Sequence, residues 1–477
     1  MGAINHKQPH GFGIFFLTEM WERYGFYIIQ TVLVFYLLNK LHLDDDKSYV
    51  IVGSFTALAY INSFFGGLVA DRYIGSTLAI IIGGIFLLIG YMTLGILPNM
   101  AGLSLGLGLV SVGTGLLKPN ISSLLSTLYP HNDERKEAGY TLYYVGIYVG
   151  ALGGSMLGGY ISHYFGWVVT FISAAIGIIF GIVIFLYGKA KYNIVDKRKT
   201  HLRSADYLYA LIAIGAMFAV SCLVLHSEFL SILYFIIIAI FCFGFILFTI
   251  ITHRGMERKR LIAFLFLILL LVCYWAIFYQ QFFSISLCTA RVCMLPGNVP
   301  ASSVPSIESL GVIIFGPLIN SVWFYFKDRG REVLIPTKFS LSFLFNSLCF
   351  LLISLGLWYS MSHGSYMSAW FIFLAYIIIA IGELCISPTS LSMVSTLVPK
   401  RYGSSMMGLS LLSIGFGGKL AGLLASSAAI ENVKSTSVSA MQQVYLHSFV
   451  SYFVISIVTF VISLILGKYI KNLIAQH

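Results

Sequence analysis

The sequence predicts an all-α polytopic membrane protein of fourteen transmembrane helices: two six-helix bundles with two extra central helices between them. Three observations carry that reading: composition, the placement of charge along the loops, and an internal repeat. Of 477 residues, 58% are hydrophobic, 15% aromatic and only 10% charged, against about 25% charged in soluble domains. Mean hydropathy is +0.90. This excludes a soluble enzyme, a disordered chain and a nucleic-acid binder. The net charge of +11 reads as loop bias rather than as a polyanion site. The apolar runs suit helices rather than barrel strands.

About 20 apolar residues cross a bilayer core. On that measure spans fall near 12–39, 48–70, 77–97, 101–128, 138–164, 166–188, 205–226, 229–252, 261–287, 306–326, 337–360, 369–398, 403–430 and 441–467. If both termini are cytoplasmic, inner segments hold 22 of the 29 Lys and Arg, including six between Lys189 and Arg203, and outer segments hold 4: Lys40, Lys47, Arg291 and Lys434. This is the positive-inside distribution of a multi-pass membrane protein. Gly11 leads straight into the first helix, so no cleavable signal is expected. Cys288 and Cys293 leave open a short disulfide or two free thiols, the thiols being favoured. No Cys/His spacing suits a metal, and no nucleophile–base constellation suits an enzyme.

The two halves repeat at an offset of 269. Gly113, Pro119, Ser126-Thr127-Leu128 and Pro130 match Gly382, Pro388, Ser395-Thr396-Leu397 and Pro399, and Gly139, Leu142, Gly146 and Gly153 match Gly408, Leu411, Gly415 and Gly422. A parallel repeat of six-helix halves points to the major facilitator architecture. The offset spans eight helices, so two are inserted. The bundles are then 1–188 and 261–477, with basic loops and two inserted helices in 189–260, and a substrate is expected at the midplane between the halves.

Ionisable residues within spans are costly and mark function. Glu19, Glu22 and Arg23 lie on one face of the first helix, which Tyr27 and Gln30 extend. Lys118 adjoins Pro119, Glu383 precedes Pro388 by five residues, Lys419 lies in the thirteenth span, and Glu308 sits near the outer end of its span. Packing by buried ion pairs is the plainer alternative, but in hydrocarbon apolar residues pack helices without a desolvation cost. A carboxylate beside Arg23 suits proton coupling. Arg23 and Lys118 suit a substrate carboxylate, and Glu383 suits an ammonium group. Cations in one half and an anion in the other fit a zwitterion such as a peptide or amino acid.

These residues resemble the proton-dependent oligopeptide transporter family. The resemblance rests on Glu19-x-x-Glu22-Arg23 with Phe26 and Tyr27, on Gly66-Gly67-x-x-x-Asp71-Arg72-x-x-Gly75, on Gly113-Thr114-Gly115-x-x-Lys118-Pro119, and on Gly382-Glu383-x-x-x-Ser387-Pro388. It covers essentially the whole chain. It implies symport of di- and tripeptides with protons by alternating access, without a cofactor, in a protein working as a monomer in the bilayer. Glu19, Glu22, Arg23 and Lys118 would couple protons. Arg23, Phe26, Tyr27, Gln30, Tyr60, Lys118, Tyr148, Trp275, Tyr279, Gln280, Gly311, Glu383 and Ser387 would line the substrate site. Gly67, Asp71, Arg72 and Gly75 would form a conformational motif. Departures from the family pattern are Gln30 for a second Arg, Tyr279 for a Glu, and Tyr148 and Gly311 for two Asn. Tyr148 opposite Gly311 reads as a large-for-small exchange. The alternative reading keeps the machinery but moves the substrate to a single amino acid or modified peptide.

Overall fold

The computed structural model describes residues 8–130, 133, 135–192, 194, 196, 204–331 and 333–474. Lys7 and most of the basic run before Arg203 lie outside the described residues. The helices are α1 (Phe12–Asn39), α2 (Asp45–Val69), α3 (Gly75–Ile96), α4 (Met100–Ser126), α5 (Arg135–Tyr164), α6 (Gly166–Tyr192), α7 (Ser204–His226), α8 (Glu228–Thr252), α9 (Gly255–Phe278), α10 (Ser284–Val292), α11 (Ser306–Asp328), α12 (Ile335–Ser362), α13 (Ala369–Leu397), α14 (Gly403–Ala425) and α15 (Val438–Ile474). All except the nine-residue α10 have at least 22 residues. Twelve stretches of the described chain are long and apolar enough to cross a membrane, and one of them, Asp45–Ile96, runs through both α2 and α3. Helix α1 is not among the twelve. It has 28 residues and carries Glu19, Glu22 and Arg23. The only strands among the described residues are β1 (Cys293–Met294) and β2 (Met367–Ser368), paired in parallel with Cys293 opposite Met367.

The chain divides into two compact units. Unit 1 comprises Met1–Tyr36 and Leu58–Ser227, and unit 2 comprises Leu37–Ala57 and Glu228–His477. The first half of α2 therefore groups with unit 2, and the inserted pair is split, α7 going to unit 1 and α8 to unit 2. The repeat is visible in the helices that carry it: α4 and α13 each hold an interior proline, Pro119 and Pro388.

Two departures from a simple run of helices have clear causes. Residues Ala70–Ile74 form a π-turn between α2 and α3, carrying Asp71 and Arg72 exposed. Gly75 then adopts φ +77°, with the Asp196 carboxylate only 2.8 Å from where a Cβ would stand. Asp196 accepts from the Thr77 backbone N–H at 3.1 Å, in the first turn of α3. The second departure corrects the expected single span 261–287. The chain leaves α9 at Phe278, passes through a 3₁₀ turn at Tyr279–Phe282 and resumes as α10. The freed Gln281 carbonyl accepts from Ser286 Oγ at 2.6 Å and Tyr376 Oη at 2.8 Å. Irregular backbone at membrane depth needs such partners.

All seven cysteines, Cys288 and Cys293 included, are free thiols.

Candidate functional site

In unit 1 the site begins on α1. Glu19 and Glu22 are 0% exposed and Arg23 is 2% exposed. The Arg23 guanidinium hydrogen-bonds Glu22 and lies 3.5 Å from Glu19. Thr114 of α4 donates to Glu22 at 3.3 Å, and Tyr143 of α5 donates to Glu19 at 2.7 Å. Arg23 also lies over the Phe26 ring, 4.6 Å from its centroid. Lys118 lies over the Tyr60 ring at 4.7 Å. Arg23, Phe26, Ala59, Tyr60, Ser63, Thr114 and Lys118 line a narrow cavity too small to admit a water molecule.

Glycines let α5 approach closely enough for Tyr143 to reach Glu19. A Cβ on Gly150 would stand 2.2 Å from the Met20 carbonyl and 3.0 Å from Arg23 Cβ. Gly146 and Gly154, one turn to either side, face Phe16 and Tyr24 in the same way. This four-residue stripe brings the backbones together, as small residues do between membrane helices. Sequence reasoning missed Tyr143, Thr114 and Ser63. The signal for Tyr143 was its position three residues before Gly146, at the head of the stripe. Tyr27 and Gln30 continue the α1 face, Gln30 being buried. The Tyr148 hydroxyl meets that of Tyr144 at 3.2 Å.

In unit 2, Trp275, Tyr279 and Phe278 form an aromatic group, with Trp275 and Tyr279 rings 5.9 Å apart. Gln280 is fully buried. Its amide donates to the Ala421 carbonyl at 2.9 Å and its oxygen accepts from Ser284 at 2.7 Å, so it ties the broken helix to α14. Ser387 donates to Glu383 at 3.4 Å, and Ser309 to Glu308 at 3.0 Å. Glu308, at 2% exposure, is buried as deeply as the α1 cluster and faces Glu383 directly across α11 and α13. Gly311 leaves no room for another side chain. A Cβ there would lie 2.8 Å from Ala380 Cβ, so close packing of α11 on α13 accounts for this glycine. Arg291, expected as an outer-loop charge, is instead largely covered, at 12% exposure, in a two-pronged pair with the buried Asp45 at 2.6 and 2.7 Å. Tyr445 and the Ile430 N–H complete that site at 3.0 and 2.9 Å.

Bundles of long apolar helices and carboxylates buried against a guanidinium within them define the class: a membrane transporter of the major facilitator fold. A family model described as the POT family matches residues 77–445, and the chain belongs to that proton-dependent oligopeptide transporter family. It is a proton-coupled peptide transporter and not an enzyme. The chain is 29% identical over 476 residues to dipeptide and tripeptide permease A of Chromobacterium violaceum, covering 98% of this chain and 94% of the relative. It is 28% identical over 438 residues to the permease A of Escherichia coli K12, covering 88% and 85%. Among solved structures, a peptide transporter POT in complex with sulfate superposes with TM-score 0.82 at 26% identity, covering 98% and 96%. A POT family transporter in complex with a thioalcohol-conjugated peptide gives TM-score 0.81 at 25% identity, covering 96% and 97%.

Proposed function

We propose that the α1 cluster is where proton and peptide binding are coupled during import of di- and tripeptides across the inner membrane. The observation that carries this reading is the buried Arg23, which contacts Glu22 and Glu19 and also lines the cavity with Lys118. A peptide carboxylate reaching that cavity competes for the Arg23 donors that Glu22 uses. A buried carboxylate stripped of its cation is neutralised by taking a proton, because an unpaired charge at that depth costs too much. Peptide and proton therefore enter together. Lys118 supplies a second positive point for the same carboxylate, and Glu383 takes the peptide ammonium. Phe26, Tyr27, Tyr60, Trp275 and Tyr279 give side chains an aromatic lining. Asp71 and Arg72 on the π-turn, with Gly67 before it and Gly75 after it, serve the conformational change. The protein acts as a monomer in the lipid bilayer, with both termini cytoplasmic.

Reconstitution in proteoliposomes tests this. Labelled di-alanine is expected to accumulate under an inward proton gradient and to stop accumulating when a protonophore is added. Uptake indifferent to the gradient would refute the coupling. Tyr148 and Gly311, standing where the family carries Asn, support a second reading in which the substrate is an amino acid or modified peptide. Gradient-driven amino acid uptake that dipeptides fail to compete with would establish it.

A further inference from the structure

Two buried polar nodes remain outside the site described above, and each contains a serine from an inserted helix. In unit 1, the Asn62 amide of α2 donates to Ser111 of α4 at 3.2 Å and to Ser221 of α7 at 3.0 Å. In unit 2, the Lys419 ammonium of α14 donates to Ser54 of α2 at 2.9 Å and to Ser231 of α8 at 2.8 Å. The two serine hydroxyls are 3.0 Å apart, and the Phe235 ring of α8 lies 5.4 Å from the ammonium. Lys419 is only 5% exposed, Ser54 2% and Ser231 1%. No carboxylate forms an ion pair with Lys419 among the described residues. Glu228, at the exposed start of α8, is the acidic group that acts on it.

Helix α2 is thus tied at two points eight residues apart, once in each unit. Alternating access moves one bundle against the other, so α2 has to travel with one of them. It runs through the π-turn into α3, and α3 packs on α4 within unit 1, where a Cβ on Gly83 would come 2.7 Å from the Gly113 carbonyl. The Asn62 tie belongs to the same unit. The Ser54 tie is the one that must open. On that side Gly53 meets Gly418 and Gly422, so two smooth surfaces separate without interlocked side chains. An ammonium left with no acceptor at that depth would be costly.

We propose that Ser231 of the inserted helix α8 is a positioning residue of the transport cycle. It keeps Lys419 hydrogen-bonded when Ser54 and the outer half of α2 part from α14, which makes Lys419 a reversible latch on α2. This rests on the alternating access proposed above, and it gives the inserted helix a task in the cycle.

The test joins the two serines. In the Ser54→Cys/Ser231→Cys double variant, diamide oxidises the two thiols to a disulfide and is itself reduced to the hydrazine, taking up the two protons and two electrons. The oxidised variant in proteoliposomes is expected to lose both gradient-driven uptake and counterflow of di-alanine by at least about tenfold, with dithiothreitol restoring both and each single variant indifferent to diamide. Transport that continues with the crosslink formed, shown by mass spectrometry of the joined peptides, overturns the latch. Failure to crosslink counts against the node itself. Separately, Ser231→Ala is expected to lower the maximal rate about tenfold with the peptide KM unchanged, and Ser231→Thr to restore it. A Ser231→Ala rate equal to wild type, or a loss that follows thermal stability and that Thr leaves uncorrected, also overturns the proposal. Wild-type protein without gradient-dependent uptake in the same vesicles would refute the transport reading instead.

Discussion

Arg23 in unit 1, buried, and Arg291 in unit 2, largely covered, are both guanidiniums facing buried carboxylates, but they are assembled differently. Arg23 finds Glu19 and Glu22 within one turn of its own helix. Arg291 finds Asp45 at a sequence separation of 246, and Asp45 also accepts from the Ile430 N–H. Arg23 opens onto a cavity and shares its charge among two carboxylates and a ring. Arg291 is closed by two nearly ideal hydrogen bonds and the Tyr445 hydroxyl. A cation with competing partners beside a cavity can exchange them for a ligand. A cation held by one bidentate partner fixes structure. The same chemistry therefore serves coupling in one place and anchoring in the other.

The sharpest break of this comparison is at Glu22. Glu22→Gln keeps the shape but removes the exchangeable charge. Concentrative uptake is expected to vanish, while counterflow, which needs no net proton movement, persists. A Glu22→Gln protein still driven by the gradient would place coupling elsewhere. At the anchoring site the expected loss is in stability. Arg291→Met leaves Asp45 buried without its cation, a change that costs about 3–5 kcal/mol. Thermal unfolding in detergent measures it, and adding Asp45→Asn should recover part of the loss. A single variant as stable as wild type would mean that water reaches Asp45 and that the pair anchors little.

The contrast also explains how much could be read from the chain. Helix spans follow from apolar length, and the α1 cluster from i, i+3, i+4 spacing, because both are local properties. Glu308 could not be placed, since it stands near a helix end and only the packing of α11 on α13 decides whether water reaches it. Arg291 looks like an outer-loop charge until Asp45, Tyr445 and the Ile430 N–H are brought around it. Tyr143 becomes a Glu19 ligand only because Gly150 lets two backbones meet. The break at Tyr279–Phe282 was invisible because its acceptors are satisfied by Ser286 and Tyr376, one of them far along the chain. Gly311 suggested missing bulk, and within its own unit Ala380 Cβ lies 2.8 Å from where a Cβ would stand.

Lys118 sharpens the comparison on the exchangeable side. It is only partly buried and lies over the Tyr60 ring, so removing it should cost affinity rather than folding. Lys118→Ala is expected to weaken peptides with a free carboxylate about tenfold, as loss of one charge-assisted hydrogen bond does, and amidated peptides far less. Competition uptake with matched pairs of peptides measures this. Equal loss for both would remove Lys118 from the carboxylate site.

The smallest effect is expected where the same Arg–carboxylate pairing meets water. Asp133, just before α5, accepts from Arg135 Nη2 at 2.8 Å, from Nε at 3.0 Å and from its backbone N–H at 2.9 Å. The side-chain hydrogen bond from Arg135 is the main reason its carboxyl titrates below the usual carboxylate range. A folded-state value below the unfolded one stabilises the protein above the unfolded value, near pH 3.9, and the gain disappears as pH falls through the folded value. Solvent and salt screen such a pair. Asp133→Ala should therefore lower the unfolding temperature only slightly at pH 7. The difference from wild type should shrink on acidification below about pH 4 and on adding salt. A gap that stays constant with pH would show that Asp133 acts through its backbone geometry at the start of α5, and that geometry and burial, more than pairing itself, separate the three arginine sites.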